Sequence, residues 1–267
     1  MTTLHYAEHG EGVPVLAIHG WTPDHRLMTG CLEPVFADRP GYRRLYPDLP
    51  GMGASPGDGV GSSDDVLAAV EEFIDTRLSG ESFLLVGESY GGYLSRAIAH
   101  RRPEQVLGLA LICPVGIEAV RERRTLPDRR VVREDPAATA GLDQRDVADY
   151  LDMAVVRTPE TARRFRDEIV SGLRVADLRT LARVAARGWE LTTRPETGVF
   201  DRPSVVLTGR QDHVTGYADV YRLLEHYPRA TFAILDAAGH NLQIEQPDLF
   251  GRLIGDWLDR VEGETAH

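Results

Sequence analysis

The 267 residues suffice for one large α/β domain with an insertion or for two small domains, and 42% hydrophobic with 27% charged residues is the composition of a folded enzyme rather than a disordered chain. A formal charge of −11 and a pI near 5.3 argue against a nucleic-acid partner, because neutralising phosphates requires a basic surface. All 30 basic residues are arginine, a bias to which no function is assigned. Cys31 and Cys113 lie far apart in apolar contexts, so two buried thiols are expected rather than a disulfide or a metal site. The start Met1 to Tyr6 has no basic-then-apolar leader pattern, and no run approaches about 18 apolar residues, so a cytoplasmic protein without a membrane partner is expected.

In chain order, Leu4 to Glu8 suits an edge strand, and Val13 to Ile18 is the near-continuous apolar run of a buried strand. That strand runs into His19-Gly20-Trp21-Thr22-Pro23, which places backbone amides at the carboxyl edge of a sheet. A helix around Leu27 to Ala37 and a strand Arg43 to Pro47 follow, then the turn-rich loop Asp48-Leu49-Pro50-Gly51-Met52-Gly53. Ser63 or Asp64 can cap a helix through Val66, Val70 and Ile74 that Gly80 ends. The strand Phe83 to Val86 then meets Gly87-Glu88-Ser89-Tyr90-Gly91, and a helix runs on to His100. G-x-S-x-G between a strand and a helix lifts a serine hydroxyl out of the sheet on a strained turn.

After the strand Val106 to Cys113 the character changes: between residues 115 and 200 strands give way to amphipathic helices at Asp146 to Val156, at Thr158-Pro159-Glu160 onward and at Val175 to Ala186, whose apolar face includes Leu178, Leu181 and Val184. The expected organisation is a core domain, 1–114 and 201–267, with a helical cap, 115–200, roofing the pocket. The sheet resumes with Ser204 to Gly209 ahead of Arg210-Gln211-Asp212-His213, a helix from about Tyr217 to Tyr227, a strand Thr231 to Leu235 before Gly239-His240, and a closing helix Pro247 to Val261 with Leu249, Phe250 and Trp257 turned to the body. Alternating strands and helices predict a doubly wound, mostly parallel α/β sheet.

Ser89, Asp212 and His240 thus follow the ends of three separate strands. A serine needs an imidazole to take its proton, and the imidazole needs a carboxylate to fix its tautomer and stabilise its cation. With the oxyanion-type loop at His19-Gly20-Trp21, these features in this order resemble the α/β-hydrolase family over nearly the whole chain. The resemblance implies Ser89 as nucleophile, Asp212 as acid and His240 as base, with the backbone N–H groups of Trp21 and Tyr90 as the oxyanion hole. It also implies hydrolysis of a small-molecule carboxylic ester, thioester or lactone by a carboxylesterase-like enzyme without cofactor or metal.

Glu118, after the strand ending at Cys113, is the alternative acid; His213 shares the turn of Asp212, and His19 braces the oxyanion loop. Glu88 is expected to be solvated or paired at the elbow. Trp21, Met28 and Tyr90 are candidate pocket walls, with core packing as the alternative for each. His5, His9, His25, His100, His226 and His267 are expected at the surface without chemical roles. Cleavage of carbon–carbon bonds, cofactor-free perhydrolysis, and a small-molecule receptor with little turnover are the alternative functions. An arginine such as Arg121, Arg123 or Arg124 turned inward would favour an acidic substrate.

Overall fold

A computed structural model describes residues 3–265. The chain forms β1 (Tyr6–His9), β2 (Val13–Ile18), α1 (His25–Phe36), β3 (Tyr42–Pro47), α2 (Ser63–Arg77), β4 (Phe83–Glu88), α3 (Ser89–Arg101) and β5 (Val106–Ile112). It continues through β6 (Arg133–Glu134), α4 (Gln144–Met153), β7 (Val156–Arg157), α5 (Pro159–Phe165), α6 (Ser171–Leu173) and α7 (Leu178–Ala186). The last part comprises β8 (Ser204–Gly209), α8 (Ala218–Tyr221), β9 (Ala230–Leu235), α9 (Leu242–Glu245) and α10 (Pro247–Thr265).

Seven strands make one sheet in the order β1-β3-β2-β4-β5-β8-β9, with β1 antiparallel to β3 and the other pairs parallel. Both faces are covered, which is why the central strands read as unbroken apolar runs. Leu16, Ile18 and Leu85 pack with residues of α2 and α3, while Val15, Ala17 and Val86 point the other way, onto α1 and α10. The period of two along a strand makes that division. Each of these valine, leucine and isoleucine side chains contributes about 1.5–3 kcal/mol by leaving water.

Local chemistry sets the helix ends. The Ser62 side chain accepts the Asp65 N–H to start α2, one residue before the expected cap, and Thr158 forms a capping box with Thr161 ahead of Pro159. A π-helical turn, Arg166–Val170, joins α5 to α6.

Between β5 and β8 the chain adds no strand to the main sheet. Strands do not vanish there altogether: β6 and β7 form a two-residue parallel pair. The segment is anchored by buried ion pairs. Arg164 binds Glu168 and the carbonyls of Gly30 and Gln243, and Arg96 binds Glu196 and the Gly116 carbonyl. Removing one partner from such a pair leaves a buried charge uncompensated.

Several expectations are corrected. Leu178 is 71% exposed, because the contact of α7 with the body begins at Thr180 and Leu181. Leu249, on the first turn of α10, is also exposed. The helix expected over 217–227 is a short α8 followed by a 3-10 turn, Arg222–His226. The short helix α9 was not foreseen. Cys31 and Cys113 are buried free thiols, as expected. No helix among the described residues is long and apolar enough to cross a membrane.

Candidate active site

Ser89 has φ of +51°, a left-handed conformation that costs a non-glycine residue energy and persists only where the surroundings enforce it. The two flanking glycines show how they do so. A Cβ on Gly87 would stand 2.4 Å from Ser95 Oγ, and one on Gly91 would stand 2.3 Å from the Ile18 carbonyl oxygen. The first turn of α3 therefore packs directly on the end of β2, beside the His19-Gly20-Trp21 loop.

Three loops at the carboxyl edge of the sheet bring Ser89, His240 and Asp212 together. Ser89 Oγ lies 3.0 Å from His240 Nε2, and His240 Nδ1 lies 3.0 Å from Asp212 Oδ2. Asp212 also accepts the backbone N–H groups of Val214 and Thr215 and the Thr215 hydroxyl. Burial opposes its ionisation, but the charge and hydrogen bond of His240, with Thr215, outweigh burial and hold the carboxyl well below its ordinary range. Burial likewise works against the His240 cation, and Asp212, joined by Glu88, overrides it and raises the imidazole.

The alternative roles separate in space. Among the described residues, the carboxylates within 4.0 Å of His240 are those of Asp212 and Glu88, so Glu118 is not joined to it. His213 lines a cavity beside His240, with its buried Nδ1 unpartnered. His19 is buried: its Nε2 accepts the Leu49 N–H, and its Nδ1 donates to the Gly20 carbonyl, which fixes the turn ahead of Trp21. Thr22, just beyond, is held at φ of +83°.

Of the two states expected of Glu88, solvated or paired, the paired one is found. It is not solvated; it is 2% exposed, accepts the Gly20 backbone N–H, and lies 3.5 Å from His240 Nε2. Burial pushes its carboxyl up to about 7, the positive charge of His240 opposing. For Met28 core packing holds rather than the pocket wall: it is fully buried on the inner face of α1, and its neighbour Leu27 lines the cavity. Trp21 and Tyr90 do line the site, with ring centroids 5.0 Å apart, and Trp189 closes the cluster at 4.3 Å from Trp21.

Sequence reasoning missed three contributors. Glu245, on α9, accepts the N–H groups of Gly239, Val155 and Val156, tying the loop that carries His240 to the segment above it. Burial raises Glu245 to about 7. Asp48 is a buried hub for His5 and His25; His5 is at the surface as expected, whereas His25 is half-buried, as is His100, which lies against Phe200 and Tyr227. Trp189 is the third. Its place on the cavity depends on packing across 99 residues from Tyr90, which local sequence cannot signal. His267 lies outside the described residues.

Two spaces share Trp21, Ser89, Asp152, Met153 and His240 as walls: one of about 300 Å³ reaching Leu27, Phe165 and Ile169, the other of about 470 Å³ reaching Tyr93, Arg124 and Trp189. A larger surface cleft, lined by residues of α1 and α10, contains none of Ser89, His240 and Asp212.

A mostly parallel sheet covered on both faces, with a strained serine elbow facing histidine and aspartate loops at its carboxyl edge, defines a class of fold, and a family model described as alpha/beta hydrolase fold matches residues 13–247. The chain belongs to the α/β-hydrolase fold family. It is similar to a 2-hydroxymuconate semialdehyde hydrolase of Pseudomonas putida, 27% identical over all of this chain and 92% of that protein. It is also similar to a pimeloyl-[acyl-carrier protein] methyl ester esterase of Nitrosomonas europaea, 27% identical over 94% of this chain and 97% of the relative. Among solved structures, an alpha/beta superfamily hydrolase from Oenococcus oeni PSU-1 superposes with a TM-score of 0.91 at 29% identity, covering 97% of each chain. These relatives are hydrolases, which supports a hydrolase of this fold.

Proposed function

We propose that the protein is a serine hydrolase that cleaves a small carboxylic ester, thioester or lactone through an acyl-enzyme. The observation that carries this reading is the continuous chain Ser89 Oγ to His240 Nε2 to Asp212, with both links at 3.0 Å. His240 takes the Ser89 proton as the oxygen attacks the carbonyl carbon, and Asp212 holds the imidazole with Nδ1 protonated and stabilises the cation that forms. The oxyanion rests on the amides of Tyr90 and Trp21, each such donor being worth roughly 10²–10³ in rate. His240 returns the proton to the leaving oxygen or sulfur, and water, deprotonated by the same imidazole, releases the acid. The segment over the site serves as a lid that shields the acyl-enzyme from bulk water.

A second reading, hydrolysis of a carbon–carbon bond next to a carbonyl, is favoured by the likeness to the Pseudomonas putida hydrolase along the whole chain. The same serine and histidine serve it, with a carbon leaving group.

Covalent labelling tests the nucleophile directly. An alkyl fluorophosphonate is expected to add one phosphonyl group to the intact protein, on Ser89, and none to Ser89→Ala. Absence of an adduct, or an adduct of equal yield on Ser89→Ala, overturns the assignment.

A further inference from the structure

The two spaces that meet at Ser89 carry opposite charge. The smaller has apolar walls at Leu27, Phe165, Ile169 and Leu173, the carboxylates of Glu88, Asp149 and Asp152, and the neutral polar side chains of Thr22 and Asn241. The larger is walled by the rings of Trp21, Tyr90, Tyr93 and Trp189 and by two guanidinium groups, Arg121 and Arg124.

These arginines differ from most in the chain. Arg124 is half-buried and donates to the carbonyls of Glu118, Ala119 and Val214; Arg121 donates to the His213 carbonyl. Neither has a carboxylate within 4.0 Å among the described residues. Backbone carbonyls orient a guanidinium without neutralising it, and three bonds leave two of the five N–H donors of Arg124 uncommitted. Burial without a counter-ion is unfavourable for the Arg124 cation, the largest influence on it. Asp152 reaches the rim of both spaces but is paired with Arg129 at 2.9 Å. His213 adds a ring nitrogen that finds no partner in the fold.

Resting on the serine-hydrolase reading, the geometry points to a substrate with a planar unsaturated or aromatic part bearing a carboxylate, seated in the larger space against Arg121 and Arg124, with its small apolar part in the space beside Glu88. The aromatic walls supply flat contact, the arginines supply charge-assisted donors, and Asp149, with Glu88 once it is ionised, repels an anion from the smaller side, so the substrate enters in one orientation.

The test compares 4-acetoxybenzoate with its methyl ester, which share the acetyl group and the phenolic leaving group and differ in charge. Wild type is expected to show kcat/KM at least about tenfold higher for the anion. Arg124→Gln and Arg121→Gln are each expected to reduce that ratio severalfold, and Arg124→Lys, which keeps the charge, to retain most of it. Arg121, exposed and bound to a single carbonyl, gives a variant that folds even if Arg124→Gln does not. A ratio near one in wild type, or a ratio unchanged in Arg121→Gln and Arg124→Gln, overturns the inference while leaving the hydrolase reading intact. If neither ester is hydrolysed, the hydrolase reading is what fails. Calorimetric titration of Ser89→Ala with 4-methylbenzoate and 4-methylbenzamide then decides the inference separately: tighter binding of the anion, lost in Ser89→Ala/Arg121→Gln, upholds it, and equal or weaker binding of the anion ends it.

Discussion

The Glu88 carboxylate lies 3.5 Å from His240 Nε2, the nitrogen that also faces Ser89. While ionised it favours the imidazolium, so it holds the base in its unreactive form to a higher pH. Replacing it by Gln removes that charge, and the neutral imidazole persists to lower pH. The acid limb of the kcat/KM profile of Glu88→Gln is expected to move toward lower pH, read from ester hydrolysis between about pH 5 and 9. A limb that stays in place or moves upward contradicts the coupling.

The same carboxyl links stability to pH. Its value in the fold, about 7, stands above its ordinary 4.5, so the native state binds the proton more tightly than the unfolded chain. The stability associated with protonation is fully present below 4.5 and is lost as pH rises through about 7. Glu88→Gln escapes that loss. Its urea midpoint relative to wild type should rise from pH 5 to pH 8; an equal difference at both values contradicts the prediction.

Asp212→Asn is expected to keep the fold and lose about 10⁴ in kcat, because an amide cannot both hold His240 with Nδ1 protonated and balance its cation. Glu118→Gln should lose little, since Glu118 is not joined to His240. Steady-state kinetics of the two variants checks the ranking, and the reverse order would move the acid.

Glu245→Ala removes the acceptor of three buried N–H groups, at Gly239, Val155 and Val156. A loss of about 3 kcal/mol in unfolding free energy is expected, with a fall in kcat as the His240 loop loosens. Denaturant titration reads the first and kinetics the second. Wild-type values for both would make Glu245 a bystander.

How much of this was legible in the sequence follows the range of each interaction. The strands around Val13, Phe83, Val106 and Ser204 announce themselves because both faces are buried, and the Gly87-x-Ser89-x-Gly91 spacing records a backbone contact that admits no Cβ. The β6 and β7 pair is two residues long and leaves no periodic trace. The choice between the two readings of Glu88, and between those of Met28, rests on contacts that local sequence does not carry. Glu88 reads as a charged turn residue until the Gly20 N–H and His240 are seen around it, and Met28 differs from Leu27 only in which way a one-residue step turns it on α1. Glu245 and Trp189 act across loops whose proximity only the fold creates.

Removing the Ser89 hydroxyl tests the proposed chemistry at its origin. Hydrolysis of p-nitrophenyl esters from acetate to decanoate should be measured for wild type and Ser89→Ala in parallel, with circular dichroism to establish that both are folded. Turnover is expected to peak at one acyl length in wild type and to fall to the uncatalysed rate in the folded Ser89→Ala variant. Equal rates in the two proteins would contradict that chemistry.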